Sequence, residues 1–165
     1  MKRVLVTGAN GQLGLALQDA AKDFPLDLVF LNKNSLDITN AEAIKKVFAA
    51  QFFDVCINAA AYTDVDGAES NEALAYAINA AAVENLAKTC KRQKCWLIHI
   101  STDYVFDGAL DRPYTPSDTP NPLNVYGSTK LAGEQAIHDV SGTYCLLYTS
   151  PSPRDLSTSR MPSSA

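Results

Sequence analysis

The sequence predicts an α/β fold, an open and doubly wound parallel sheet, on three observations. Four short apolar runs rich in β-branched residues, RVLVTG, LDLVFL, DVCINAAA and CWLIHIST, have the composition of strands buried on both faces. The segments between them carry Ala and Leu at helical spacing. A cluster of glycines joins the first run to the first of those segments. Strand and helix in strict alternation lead to parallel pairing with right-handed crossovers.

Taken in order, the first strand ends at the glycines and a helix is expected over 12–22. The second strand ends at Asn32 and Lys33, and Asn40 opens a helix over 40–50 as a capping residue would. The third run ends in Ala59, Ala60 and Ala61 and leads to an Ala-rich helix over 70–90. The fourth ends in Ser101 and Thr102. A connection over 107–124 with four prolines follows, of a length that compact domains keep mainly for function, and then a helix over 125–138. The segment CLLYTS has the composition of one more strand.

The 165 residues suffice for one domain with a sizeable core, and 47% hydrophobic with 19% charged residues is ordinary globular composition. A net charge of −4 and a pI near 5.0 exclude a general nucleic-acid or acidic-membrane binder. The start, Met1-Lys2-Arg3 before a few apolar residues and Gly8, is too short for a secretion signal, and no window approaches a membrane span. A cytoplasmic protein is expected. Cys56, Cys90, Cys95 and Cys145 lack metal-ligand spacing and histidine partners, so buried free thiols and no metal site are expected.

VTGANGQLG places Gly8, Gly11 and Gly14 between a strand and a helix. Without side chains there, the backbone can approach a pyrophosphate, whose charge meets free amides and the positive end of the helix. This makes the domain Rossmann-type. The GxxGxxG spacing resembles that of the short-chain dehydrogenase/reductase superfamily. At the end of the second strand an acid would select a free ribose 2′-hydroxyl, whereas this chain offers Asn32 and Lys33. NADPH is therefore favoured, with NADH as the alternative. YGSTK sets Tyr126 and Lys130 four residues apart on one helix face, where an ammonium can draw a phenol's pKa toward neutrality. Thr102 ends the fourth strand, placed to bond the same carbonyl oxygen that Tyr126 would protonate.

STDYVFDG, NPLNVYGSTKLAGE and INAAAYTDVDGAE together resemble the dTDP-4-dehydrorhamnose reductases, extended short-chain reductases of deoxysugar-nucleotide synthesis. The resemblance implies reduction of the 4-keto group of a dTDP-sugar with NADPH, with Tyr126 as proton donor, Lys130 as its tuner and ribose contact, and Thr102 and Asp103 holding the sugar. It implies cofactor contacts at Gly11, Gln12, Leu13, Asp37, Ile38, Ala61, Tyr62 and Thr63, and it leaves room for a homodimer of the full-length protein. Tyr104 stands where related dehydratases carry an acid, which argues against a sugar-nucleotide dehydratase or epimerase. The other alternative is a non-catalytic, reductase-like regulatory subunit of methionine adenosyltransferase, which an intact Thr102, Tyr126 and Lys130 set argues against.

The resemblance runs over 1–144 and then stops, so the sheet is expected to be truncated before a substrate domain. In one reading frame CLLYTSPSPRD and SRMPSSA translate the two ends of a transposase-type sequencing adapter, with Leu156, Ser157 and Thr158 spanning a variable index. The expectation is an NAD(P)-binding domain over 1–144 and a non-native tail over 145–165.

Overall fold

The computed structural model describes residues 1–149. It contains five parallel strands in the order β2-β1-β3-β4-β5: β1 (Arg3–Thr7), β2 (Asp27–Leu31), β3 (Val55–Asn58), β4 (Trp96–Thr102) and β5 (Tyr144–Thr149). The crossovers are α1 (Gln12–Ala20) with a 3₁₀ turn at Ala21–Asp23, α2 (Ala41–Ala50), the run α3 (Val65–Ser70), α4 (Glu72–Tyr76) and α5 (Ala82–Gln93), and α6 (Val125–Val140). The doubly wound parallel sheet expected from the sequence is the fold observed.

Register decides which residues share a face. Leu5 pairs with Cys56, Cys56 with Leu97 and Leu97 with Tyr144. That row meets Ile44 and Phe48 of α2, Val83, Leu86 and Cys90 of α5 and Ile137 of α6 in one continuous core. Phe48 and Phe53 close it edge to face, with centroids 5.3 Å apart. On the opposite face Val4 and Val6 are buried, but Ile57, Ile98 and Ile100 are only half-buried, and Trp96 is 55% and Leu147 47% exposed.

The single helix expected over 70–90 is a broken run. It starts earlier, where the Asp64 carboxylate caps α3 by accepting from the Gly67 amide at 2.9 Å. It breaks at Asn71, whose φ of −132° and ψ of 41° leave the helical region. A π turn at Ala77–Ala81 then joins α4 to α5. The other helices agree with expectation to within a turn, and Asn40 caps α2 by accepting from the Glu42 and Ala43 amides at 3.1 Å.

Cys56, Cys90 and Cys95 are buried free thiols, as expected. Cys145 is exposed, a departure that follows from its place on edge strand β5 facing away from the core. Of the segment read as an adapter, 145–149 pairs in register with β4, and 150–165 lies outside the described residues. Among the described residues no helix is long and apolar enough to cross a membrane, and no group of three or more His, Cys, Asp or Glu is placed to hold a metal ion.

Candidate active site

The strand order reverses between β1 and β3, and open α/β sheets bind ligands in the crevice beyond that reversal. Gly8 turns the chain there with φ of +67°, and a Cβ on it would lie 2.6 Å from the Ala60 nitrogen. A Cβ on Gly14 would strike the Gly8 carbonyl oxygen, so α1 starts directly against the turn. Gly11 is the N-cap of α1 without a side-chain cap, which leaves the first-turn amides facing the crevice. A cradle with no room for side chains, at a helix N-terminus, fits a dinucleotide pyrophosphate.

The remaining expected cofactor residues border this crevice unequally. Gln12 and Leu13 are exposed in the first turn of α1. Asn32 follows β2, but its Oδ1 folds the next turn by accepting from the Asn34 and Ser35 amides at 3.0 and 3.1 Å. Asp37 accepts from the Thr39 amide and hydroxyl at 2.9 and 2.7 Å, bonds that with nearby Lys33 hold its carboxyl below the usual range. Ile38 is 5% exposed and packs in the core, so its backbone is the part free to meet a ligand. Ala61, Tyr62 and Thr63 follow β3 at the crevice edge.

The chemistry gathers at the end of β4. Thr102 is 3% exposed and caps the 3₁₀ turn Asp103–Val105, accepting from the Tyr104 amide at 3.3 Å and donating to Asp103 at 3.2 Å. Asn124 caps α6 by accepting from the Gly127 amide at 2.7 Å, and Glu69 of α3 accepts from the Val125 amide at 2.8 Å. A Cβ on Gly127 would strike the Tyr104 carbonyl oxygen. Glycine there lets α6 close on the turn. Tyr126 consequently lies beside Thr102, close enough for that hydroxyl to favour its phenolate, and meets the Tyr104 ring edge to face at 5.6 Å.

Burial raises the Tyr126 phenol above its ordinary value, Thr102 opposes that shift, and Asp103 and Tyr104 add to it. The expected drop of this phenol toward neutrality under Lys130 is not what the geometry gives. Lys130, 2% exposed, turns inward and donates to the Ile100 carbonyl at 2.5 Å, with its Nζ 3.4 Å from His99 Nε2. Burial pushes Lys130 down to about 8, while Glu134 favours its charge. Glu134 itself accepts from the Ser101 hydroxyl and, at 2.8 Å, from the Tyr148 hydroxyl.

Sequence reasoning missed several residues of this site. Asn79, in the π turn, clamps Tyr62 by accepting from its amide at 2.9 Å and donating to its carbonyl at 3.0 Å, and it also donates to Thr129 of α6 at 3.1 Å. It thereby ties the strand-end segment Ala61 to Thr63 to the helix that carries Tyr126. Its one available signal was a lone polar residue in the run AINAAA. His99 and Asn58 were equally visible, as polar residues inside apolar strands.

The profile of the RmlD substrate binding domain matches residues 1–151. The dTDP-4-dehydrorhamnose reductase of Mycobacterium tuberculosis is 50% identical over 140 residues, covering 82% of this chain and 45% of that protein. The Escherichia coli dTDP-4-dehydrorhamnose reductase is 41% identical over 152 residues, covering 89% and 50%. Among solved structures, dTDP-4-dehydrorhamnose reductase from Bacillus anthracis in complex with NADP superposes with a TM-score of 0.88 at 40% identity, covering 91% of this chain and 53% of that one. A UDP-Glc/GlcNAc 4-epimerase from Campylobacter jejuni, with a TM-score of 0.84 at 20% identity, shares the fold. The chain spans about half the length of the curated relatives it matches.

Proposed function

The chain belongs to the RmlD substrate binding domain family, and from that premise we propose that it is the cofactor-binding half, residues 1–144, of an NADPH-dependent sugar-nucleotide reductase that converts dTDP-4-dehydrorhamnose to dTDP-rhamnose. The observation that carries this reading is the meeting of Thr102 and Tyr126 at the end of β4, beside a glycine cradle that fits a dinucleotide. The relatives named for this reaction and the NADP complex support it. The bound nicotinamide would supply a hydride to the ketone carbon.

The chain's own residues do the rest. The ketone oxygen would accept from the Tyr126 hydroxyl and from Thr102, whose proton would turn to it from Asp103. The Tyr126 proton would move to that oxygen and, with the hydride the cofactor would supply to the carbon, give the alcohol. Asp103, exposed beside Thr102, would hold sugar hydroxyls. Gly8 and Gly14 would hold the pyrophosphate, and Lys130 would contact the nicotinamide ribose. Absence of an acid at the end of β2, with Lys33 exposed there, favours NADPH over NADH.

The test uses the protein carrying a full-length relative's remaining half. It should oxidise NADPH when given dTDP-4-dehydrorhamnose, and Tyr126→Phe should lower kcat by about 10²- to 10⁴-fold with cofactor affinity nearly unchanged. NADPH binding without turnover of any 4-keto sugar nucleotide would move the assignment to the non-catalytic regulatory subunit.

A further inference from the structure

Three neighbouring strands place a polar side chain at matching register on the helix-covered face, Thr7 beside Asn58 and Asn58 beside His99. The Thr7 hydroxyl donates to Asn58 Oδ1 at 2.6 Å, Asn58 Nδ2 lies 3.1 Å from His99 Nδ1, and His99 Nε2 faces Lys130 Nζ at 3.4 Å. The four residues are 0–2% exposed, so water does not compete for these bonds, and Lys130 donates in addition to the Ile100 carbonyl.

The direction of the first bond sets the others. With its oxygen taken by the Thr7 hydroxyl, the Asn58 amide turns its NH₂ toward the imidazole. A ring nitrogen that faces an NH₂ is the unprotonated one, so a neutral ring carries its proton on Nε2. That proton points at the lysine.

We propose that His99 is a positioning residue for Lys130: locked as the Nε2–H tautomer by Asn58 and Thr7, it turns a donor rather than an acceptor toward the lysine nitrogen, which disfavours the ammonium while the Ile100 carbonyl holds the side chain in place. Two shifts agree with this. Burial and the Lys130 charge push His99 down to about 3, which keeps the ring neutral, and burial brings Lys130 down to about 8, which weakens the ammonium without abolishing it at pH 7. The other groups around the lysine are Glu134 on its own helix, which favours its charge, Ser101 of β4 and Tyr148 of β5, which both bond Glu134, and Tyr126 one turn away with Asp103 and Tyr104 of the 3₁₀ turn beside it. Asn79, from the π turn, is uncharged. A relay reaching back to β1 thus sets how firmly the lysine one turn from Tyr126 holds its charge. The functional consequence rests on the reductase reading, but the relay does not.

The test is read on the chain without cofactor or substrate, so failure of the reductase reading would not affect it. A long-range ¹H–¹⁵N spectrum of the unmodified chain at pH 7 should place the His99 proton on Nε2. A proton on Nδ1, or a doubly protonated ring, overturns the proposal. Asn58→Asp, of nearly the same shape, accepts from both neighbours and should move the proton to Nδ1, turning Nε2 into an acceptor for the ammonium. The Lys130 titration, followed at ¹³Cε, should then rise by about one pH unit or more. In the His99→Phe background the same Asn58→Asp change should move it less than half as far, which separates the relay from the direct field of the new carboxylate. An unmoved lysine after the tautomer has switched, or an undiminished rise without the imidazole, sinks the proposal.

Discussion

A neutral imidazole in the core makes the fold acid-sensitive at one residue. His99 sits near 3 in the folded chain, below its ordinary 6.5, so between these values the unfolded chain binds the extra proton. Stability is therefore complete above pH 6.5 and is lost as pH falls toward 3, at on the order of 1 kcal/mol per pH unit. His99→Gln cannot titrate, and urea denaturation should show it losing about 2 kcal/mol less than the parent between pH 6.5 and 4. Equal losses would mean that the ring takes its proton in place. At the other end of the site, Gly8→Ala combines a φ of +67° with a Cβ 2.6 Å from the Ala60 nitrogen. It should abolish NADPH binding by calorimetry and destabilise by about 1–3 kcal/mol. The places of Gly8, Thr102 and Tyr126 at a strand-to-helix turn, a strand end and a helix start were legible because each stands in a motif of fixed spacing. His99 and Asn58 were not, because their meaning arises only when register sets three strands side by side.

At the scale of elements, helix α6 is aimed by its first turn. Asn124→Ala removes the cap on Gly127 and should lower stability by about 0.5–2 kcal/mol, visible in thermal unfolding. In the completed enzyme it should also reduce kcat, because Tyr126 lies two residues beyond the cap. The connection over 107–124 carries its own staple: Asp107 accepts from the Ala109 amide at 3.0 Å, the Tyr114 hydroxyl at 2.7 Å and Asn121 Nδ2 at 2.9 Å. These bonds hold its carboxyl down at about 2, below the ordinary 3.8. The staple is present above pH 4 and released as pH falls through 2, whereas Asp107→Asn weakens it at every pH. Limited proteolysis at pH 7 should cut that variant within 107–124 faster than the parent, and equal rates would remove Asp107 from this role. The elements were legible where a cap precedes an apolar pattern, as at Asn40. The run from Val65 to Gln93 was not, since alanines continue through Asn71 and the π turn without recording that α6 and the Tyr62 clamp need a break there.

For the whole molecule, alternation of strand and helix made the layer order legible, whereas the unequal covering of the two sheet faces was not. The apolar runs read alike on both sides, yet α2, α5 and α6 crowd one face while Trp96 and Leu147 stand exposed on the other. Beside them runs β5, an edge strand whose outer backbone groups pair with no strand among the described residues. The colloidal behaviour of the chain follows from that combination. At pH 7 a net charge of −4 keeps copies apart, but near the pI of 5.0 this repulsion vanishes while the uncovered strip and the open edge remain. Light scattering should show the chain clustering most strongly around pH 5 and dispersing again above pH 7. Leu147→Lys, which sets a charge on the strip beside the edge, should suppress the clustering. If it clusters as readily as the parent, the copies adhere through some other surface.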